Sequence, residues 1–149
     1  MRLALFQPDQ PGNVGTLLRL GACLGVAVDV IEPCGFPFSH HAVKRSAMDY
    51  SELVDLSVHA DWDAFRAARA GRLVLLTTKG SVAHTDAGYR SDDILLVGQE
   101  SAGVPEFIHD AADLRVRVPL APGLRSLNVA IAAAMVVGEA LRQTEGYPA

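Results

Sequence analysis

Asp61-Trp62-Asp63-Ala64-Phe65-Arg66-Ala67-Ala68-Arg69-Ala70-Gly71-Arg72-Leu73-Val74-Leu75-Leu76-Thr77 decides the fold class. Asp61 opens a helical segment that runs to Ala70, Gly71 ends it, and Leu73 to Thr77 is an unbroken apolar run of the kind buried on both faces of a sheet. Working outward toward the N-terminus, Val26 to Ile31 is a second such strand and Arg2 to Gln7 a first, with a helix from Val14 to about Leu24 between them. Asn13 stands as the N-cap of that helix, and Leu17, Leu18, Cys23 and Leu24 are candidates for its packed faces. Toward the C-terminus, Ile94 to Val97 and Leu114 to Val118 read as strands, Pro105 to Asp110 as a short helix with proline in its first turn, and Ser126 to Gln143 as the longest helix, with Ser126 as N-cap. The stretch from Phe36 to Leu56 is less regular, with a helix around Ser39 to Ser46 and a polar turn at Met48-Asp49-Tyr50. Helix and strand alternate, so the expected architecture is α/β, an open parallel sheet with helices on both faces.

With 149 residues, half of them hydrophobic, the chain is sized for one domain, residues 1–149, whose core needs no disulfide or metal staple. Cys23 and Cys34 are eleven positions apart, which suits neither a zinc pair nor a redox Cys-x-x-Cys, so both are expected as free thiols in a reducing compartment. The opening Met1-Arg2-Leu3-Ala4-Leu5-Phe6-Gln7-Pro8 is broken by proline before it forms a signal-peptide core. No apolar run reaches the roughly 20 residues of a membrane span, Val129 to Val137 coming nearest, and a cytoplasmic protein with no membrane partner is expected. A net charge of −4 excludes a broad basic field that coats nucleic acid, so any RNA contact must be local. Basic residues cluster at Lys44-Arg45, at Arg115 and Arg117, and at Arg125, where they also read as solvated residues at element ends.

Three loops that follow strands carry the unusual residues. Ligand sites in open α/β sheets lie beyond the carboxyl ends of strands, so the three are expected to converge. The first, Gln7-Pro8-Asp9-Gln10-Pro11-Gly12-Asn13-Val14-Gly15, leads into a helix N-terminus that suits an anion, with Arg19 one and a half turns inside. In the second, Gly98-Gln99-Glu100-Ser101-Ala102-Gly103-Val104-Pro105, the glycines permit a tight turn and close approach to a flat ligand, while Glu100 is placed to accept hydrogen bonds or fix an arginine. A glycine-bracketed glutamate also serves plain structural roles. The third, Pro119-Leu120-Ala121-Pro122-Gly123-Leu124-Arg125-Ser126-Leu127-Asn128, is at its simplest a capped helix start; Ser126 and Asn128 are also placed to tie it to a cofactor or to its neighbouring loops.

Several chemistries are excluded. Neither Gly-x-Gly-x-x-Gly nor Gly-x-x-x-x-Gly-Lys-Ser/Thr occurs, against dinucleotide and P-loop sites. The five histidines make no metal pattern and read as surface residues, so no metal is expected. Gly-x-Ser-x-Gly is missing, and Ser101 has no evident base, against a serine hydrolase.

Taken together, Pro11-Gly12-Asn13-Val14-Gly15 with Arg19, Ile31-Glu32-Pro33 with Gly35-Phe36, Asp49-Tyr50, Thr77-Thr78-Lys79-Gly80, Gly98 to Pro105 and Arg125-Ser126-Leu127-Asn128 resemble the SPOUT superfamily of RNA methyltransferases over nearly the whole chain. The resemblance is closest to its short members that methylate the tRNA wobble nucleotide, whose tail Gly146-Tyr147-Pro148 also resembles. It implies a C-terminal deep trefoil knot, a homodimer in which the first and last helices meet, and transfer of a methyl group from S-adenosyl-L-methionine (AdoMet) to a ribose 2′-hydroxyl of tRNA, leaving S-adenosyl-L-homocysteine. Carried over by position, it places Leu76, Thr77, Gly80, Gly98, Glu100, Val118, Leu120, Ser126 and Asn128 around the cofactor. It likewise implies Arg19, Glu100 and Asn13 as the catalytic set, and Arg19, Lys44, Arg45 and Arg125 as candidate RNA contacts. Arginine stays protonated in ordinary surroundings, so Arg19 is first of all a positioning group. For the dimer, the small-residue face Ala130, Ala132, Ala133, Ala134 and Gly138 suits close approach of another backbone, and core packing within one subunit explains it equally. Ser101-Ala102 departs from the family, where a threonine and a basic residue are common. The rival readings are methylation of another tRNA or ribosomal RNA ribose, and a non-catalytic module that binds RNA or AdoMet.

Overall fold

The computed structural model describes residues 1–39 and 50–149. Seven strands form one sheet in which every pairing is parallel: β1 (Arg2–Phe6), β2 (Ala27–Ile31), β3 (Leu56–His59), β4 (Leu73–Leu76), β5 (Val82–Ala83), β6 (Ile94–Val97) and β7 (Leu114–Arg117). Their spatial order is β3-β2-β1-β6-β4-β7-β5. The helices are α1 (Pro11–Leu24), α2 (Trp62–Ala68), α3 (Glu106–Ala111) and α4 (Val129–Gln143), with a 3₁₀ turn at Tyr50–Glu52.

Side chains alternate across a strand, and here both sets are apolar. Leu3, Leu5, Val28, Val30, Val74, Leu95, Val97 and Val116 face one way and pack on Val14, Leu17 and Leu18 of α1 and on Ala130, Ala133, Val136, Val137 and Ala140 of α4. Ala4, Phe6, Ile31, Leu73, Leu75, Ile94 and Leu96 face the other way, under Phe65 of α2 and Ile108 of α3. Full burial of a side chain such as Phe65 stabilises the fold by about 1.5–3 kcal/mol.

The carboxylate within these strands, Asp29 of β2, is fully buried and compensated. It accepts from Arg2 Nε at 2.6 Å and Arg69 Nε at 3.2 Å, and its Oδ1 lies 2.6 Å from His59 Nε2. A carboxylate without water is tolerated only when paired and hydrogen-bonded in this way.

Several sequence expectations are corrected. α1 starts at Pro11 behind Gln10, not at Val14 behind Asn13, because proline lacks the N–H that the first helical position leaves unused. α4 is capped by Asn128 rather than Ser126: the Asn128 side chain accepts from the N–H groups of Ala130 and Ile131. α2 ends at Ala68 with Arg69 as C-cap, short of Ala70 and Gly71, because Arg69 turns extended and its guanidinium reaches Asp29. α3 runs from Glu106 with Pro105 as its N-cap. Two strands, β3 and β5, were not expected; both lie at sheet edges and are too short to show a periodicity. His59 and His84 are buried, not on the surface, while Cys23 of α1 is exposed rather than packed. The helix expected around Ser39 to Ser46 lies, beyond Ser39, outside the described residues, as do Met48 and Asp49.

Candidate functional site

Strand order sets the site. β1, β6, β4 and β7 are neighbours with level carboxyl ends, Leu5 opposite Val97, Leu75 opposite Leu96 and Leu76 opposite Val116. The loops leaving these four strands therefore rise side by side. Between them lies a cavity of about 810 Å³, within the range that holds small cofactors.

Leu76, Val97, Val118, Leu120, Val129 and Ala132 give it apolar walls, and Asn13, Thr77, Glu100, Ser126 and Asn128 give it polar ones. Gly98 and Gly103 make the β6 loop tight. Gln99 and Gly103 exchange backbone hydrogen bonds, Gly103 has φ of +65°, and a Cβ on Gly98 would lie 2.6 Å from the Gly103 carbonyl carbon. After β4, the Thr77 N–H donates to the Val116 carbonyl, the Gly80 N–H to the Thr77 carbonyl and the Lys79 N–H to Thr77 Oγ1.

A line of side-chain amides ties three loops together. Asn128 Nδ2 donates to Asn13 Oδ1 at 3.0 Å, and Asn13 Nδ2 donates to Glu100 Oε1 at 2.8 Å. Because α1 begins two residues before Asn13, this side chain is free of capping and reaches across to the β6 loop. Behind Glu100 stands Asp9, whose Oδ1 accepts from the Glu100 N–H at 3.3 Å and whose Oδ2 accepts from the Ser101 hydroxyl. The Glu100 carboxyl is held above the usual carboxylate range, first by partial loss of solvation and then by its hydrogen bond to Asp9. Asp9 is held below that range, chiefly by the same hydrogen bond and by Ser101.

Of the residues expected around a cofactor, Leu76, Thr77, Gly98, Glu100, Val118, Leu120, Ser126 and Asn128 line the cavity, and Gly80 does not. Gly80 is packed beneath, where a Cβ would lie 2.5 Å from the Val116 carbonyl carbon, and its own carbonyl accepts from Arg117. Asn13 and Glu100 are brought together, but Arg19 stays outside the cavity wall, on the exposed face of α1 with its guanidinium 4.9 Å from the centre of the Tyr50 ring. Arg125 is exposed and outside the wall, and Lys44 and Arg45 lie outside the described residues. Sequence reading assigned no role to Asp9, Gln10, Gly12 or His109. The first three sit in the loop already singled out, whereas His109 reaches the wall from α3, which nothing in the sequence pointed to.

Cys34 is a half-buried free thiol whose pKa burial pushes up to about 11, with help from the Glu32 charge. Among the described residues no three histidine, cysteine or acidic side chains gather as a metal site, and no helix is long and apolar enough to cross a membrane.

Comparison with known proteins gives concordant relatives. A tRNA (cytidine(34)-2′-O)-methyltransferase of Beijerinckia indica subsp. indica is 60% identical over 144 residues, 95% of this chain and 90% of the relative. A solved structure concerned with the 2-OH methylation of C/U34 on tRNA superposes with a TM-score of 0.90 at 36% identity, over 95% of this chain and 94% of the other. An AdoMet-bound rRNA methyltransferase from Sinorhizobium meliloti superposes with a TM-score of 0.83 at 31% identity, covering 95% of this chain and 55% of the other. The model of the SpoU rRNA Methylase family matches residues 1–138, and the chain belongs to that family.

Proposed function

We propose that this protein transfers the methyl group of AdoMet to the ribose 2′-hydroxyl of nucleotide 34 in tRNA, a cytidine or modified uridine, as a cytoplasmic homodimer of one-domain subunits. The observation that carries the reading is the cavity at the level ends of β1, β6, β4 and β7, closed by the Asn128–Asn13–Glu100 line. Its walls fit the cofactor: an apolar slot between Leu76, Val97, Val118 and Leu120 suits a flat purine, and the tight loop at Gly98 leaves backbone groups within reach of its edge. When bound, AdoMet supplies a methyl group made electrophilic by its sulfonium.

The chain's own part is alignment. Asn13, Glu100 and Asn128 hold the three loops in register, with Ser126 on the cavity wall beside them, so that a hydroxyl meets the site in one orientation. Arg19 positions the 2′-hydroxyl or an adjacent phosphate, with its guanidinium against Tyr50, while Lys44, Arg45 and Arg125 contact phosphates further out. The order β1-β6-β4-β7, in which β6 and β7 enter on either side of the earlier β4, supports a knotted C-terminal region. Dimerisation through α1 and α4 is supported by exposed apolar residues, Ile131 and Met135 on α4 and Leu127 just before its cap. For the small-residue face, core packing is supported at Ala130 and Ala133, which are buried within the chain, and Gly138 meets Tyr147, whose hydroxyl donates to the Gly138 carbonyl.

Methylation of a ribosomal RNA ribose is the second reading, favoured by the family's description, and it needs the same cavity with a different RNA footprint. Incubating the protein with AdoMet and unmodified tRNA, then resolving nucleosides by mass spectrometry, yields 2′-O-methylcytidine or 2′-O-methyluridine derivatives, and Arg19→Ala abolishes them. AdoMet binding with no product on tRNA would turn the assignment to ribosomal RNA.

A further inference from the structure

Asp9 touches none of the cavity, yet two oxygens of its carboxylate are committed to the loop that carries Glu100: one accepts the Glu100 N–H at 3.3 Å, the other the Ser101 hydroxyl. Its own place is fixed from below. Gly35 presses against it so closely that a Cβ there would lie 2.6 Å from the Asp9 Cβ, and the Gly35 N–H donates to the Pro8 carbonyl at 2.9 Å. We infer that Asp9 is a positioning residue of the methyl-transfer site, a clamp from the β1 loop that fixes the Glu100–Ser101 turn and thereby presents the Glu100 carboxyl to Asn13.

The inference rests on the methyltransferase reading and deepens it. Asp9 grips the turn through the Glu100 N–H and the Ser101 hydroxyl, and the turn so held offers Glu100 Oε1 to Asn13 Nδ2; lost solvation and the neighbouring Asp9 carboxyl raise the Glu100 pKa. Glu100 is thereby held between two loops as an organiser of the site. The other titratable side chains on the cavity wall are Lys79, after β4, and His109, on α3.

Serine at 101 completes the clamp, since its hydroxyl occupies the second Asp9 oxygen.

The test is a carboxyl titration by NMR on protein labelled at glutamate, with Glu100 assigned by Glu100→Gln, run on wild type and Asp9→Asn. The variant keeps an oxygen for the Glu100 N–H and removes the neighbouring negative charge. Glu100 is expected to titrate above the ordinary carboxylate range in the wild type and to move down in Asp9→Asn. In parallel, Asp9→Ala lowers kcat by about tenfold or more with KM for tRNA little changed, since misplacement of a site group acts on the turnover step, and Asp9→Glu restores part of it. A Glu100 titration that is the same in Asp9→Asn and wild type overturns the inference, whatever the activity. A wild type that methylates no RNA overturns the functional reading instead, and the titration still decides the role of Asp9.

Discussion

Asn128 performs two tasks with the two ends of one amide. Its oxygen caps α4 through Ala130 and Ile131, and its nitrogen donates to Asn13. The tasks separate by substitution. Asn128→Ala removes both, lowering stability by about 1 kcal/mol in a urea titration and weakening AdoMet binding by calorimetry. Asn128→Asp keeps an oxygen that caps as well as asparagine, so stability holds to within about 0.5 kcal/mol while AdoMet binding still weakens, because the donor to Asn13 is gone. Equal stability losses in the two variants would mean that the Asn13 bond, not the cap, carries the stabilisation. Arg19, a residue named by pattern, stands on the exposed side of α1 with its guanidinium against Tyr50, outside the cavity wall.

Between elements, the segment joining β5 to β6 is held on α4 by polar contacts. Gln143 accepts from the Tyr89 N–H at 3.0 Å and donates to the Ala87 carbonyl at 2.9 Å, and the Tyr89 hydroxyl donates to the His84 carbonyl at 2.9 Å. Burial, aided by the charges of Glu139 and Asp93, pushes the Tyr89 pKa from 10.0 to about 12. The raised value means that the folded state favours the protonated phenol, so this stability is complete below pH 10 and is lost as pH rises from 10 toward 12. Tyr89→Phe should show a shallower fall than wild type in denaturant midpoints over that interval; parallel curves would exclude Tyr89 as the source. At this scale the limits of sequence reading are also plain. Leu73–Leu76 and Ile94–Val97 were legible because burial on both faces demands unbroken β-branched and leucine runs, and Arg2–Phe6, Ala27–Ile31 and Leu114–Arg117 because short runs rich in leucine and β-branched residues are bounded by turn residues. β3 and β5 were not, since an edge strand of four or two residues has too few positions to alternate. Helix starts shifted because two acceptable caps stood within two residues of each other, Ser126 and Asn128, and only the packing of α4 selects between them. The loops of the cavity were legible by their glycines and amides, whereas Asp9 and His109 join the site through strand order, which no local pattern encodes.

On the whole molecule, Ile131 and Met135 lie one turn apart on α4, at 55% and 41% exposure, with Leu127 at 39% just before the cap of that helix. In the proposed dimer these residues are covered. Wild type should therefore elute with twice the 15.8 kDa mass of one chain by size exclusion with light scattering, and Ile131→Glu with Met135→Glu should elute as the monomer with its circular dichroism unchanged. A wild-type monomer, or an unaltered dimer in the double variant, would place the interface elsewhere or nowhere. The order of the strands reaches further, into the birth of the chain on the ribosome. β1, β2 and β3 pair with one another as they emerge, but β4 has no neighbour in place: its two partners, β6 and β7, are both made later. Until Ile94 to Val97 has left the exit tunnel, Leu73 to Leu76 stays an apolar strand with both edges bare, the kind of surface on which nascent chains stick to one another. The arrangement that gathers the site's loops at the centre of the sheet thus makes that centre the last part to close, and it exposes the newborn protein for as long as synthesis of the remaining strands takes.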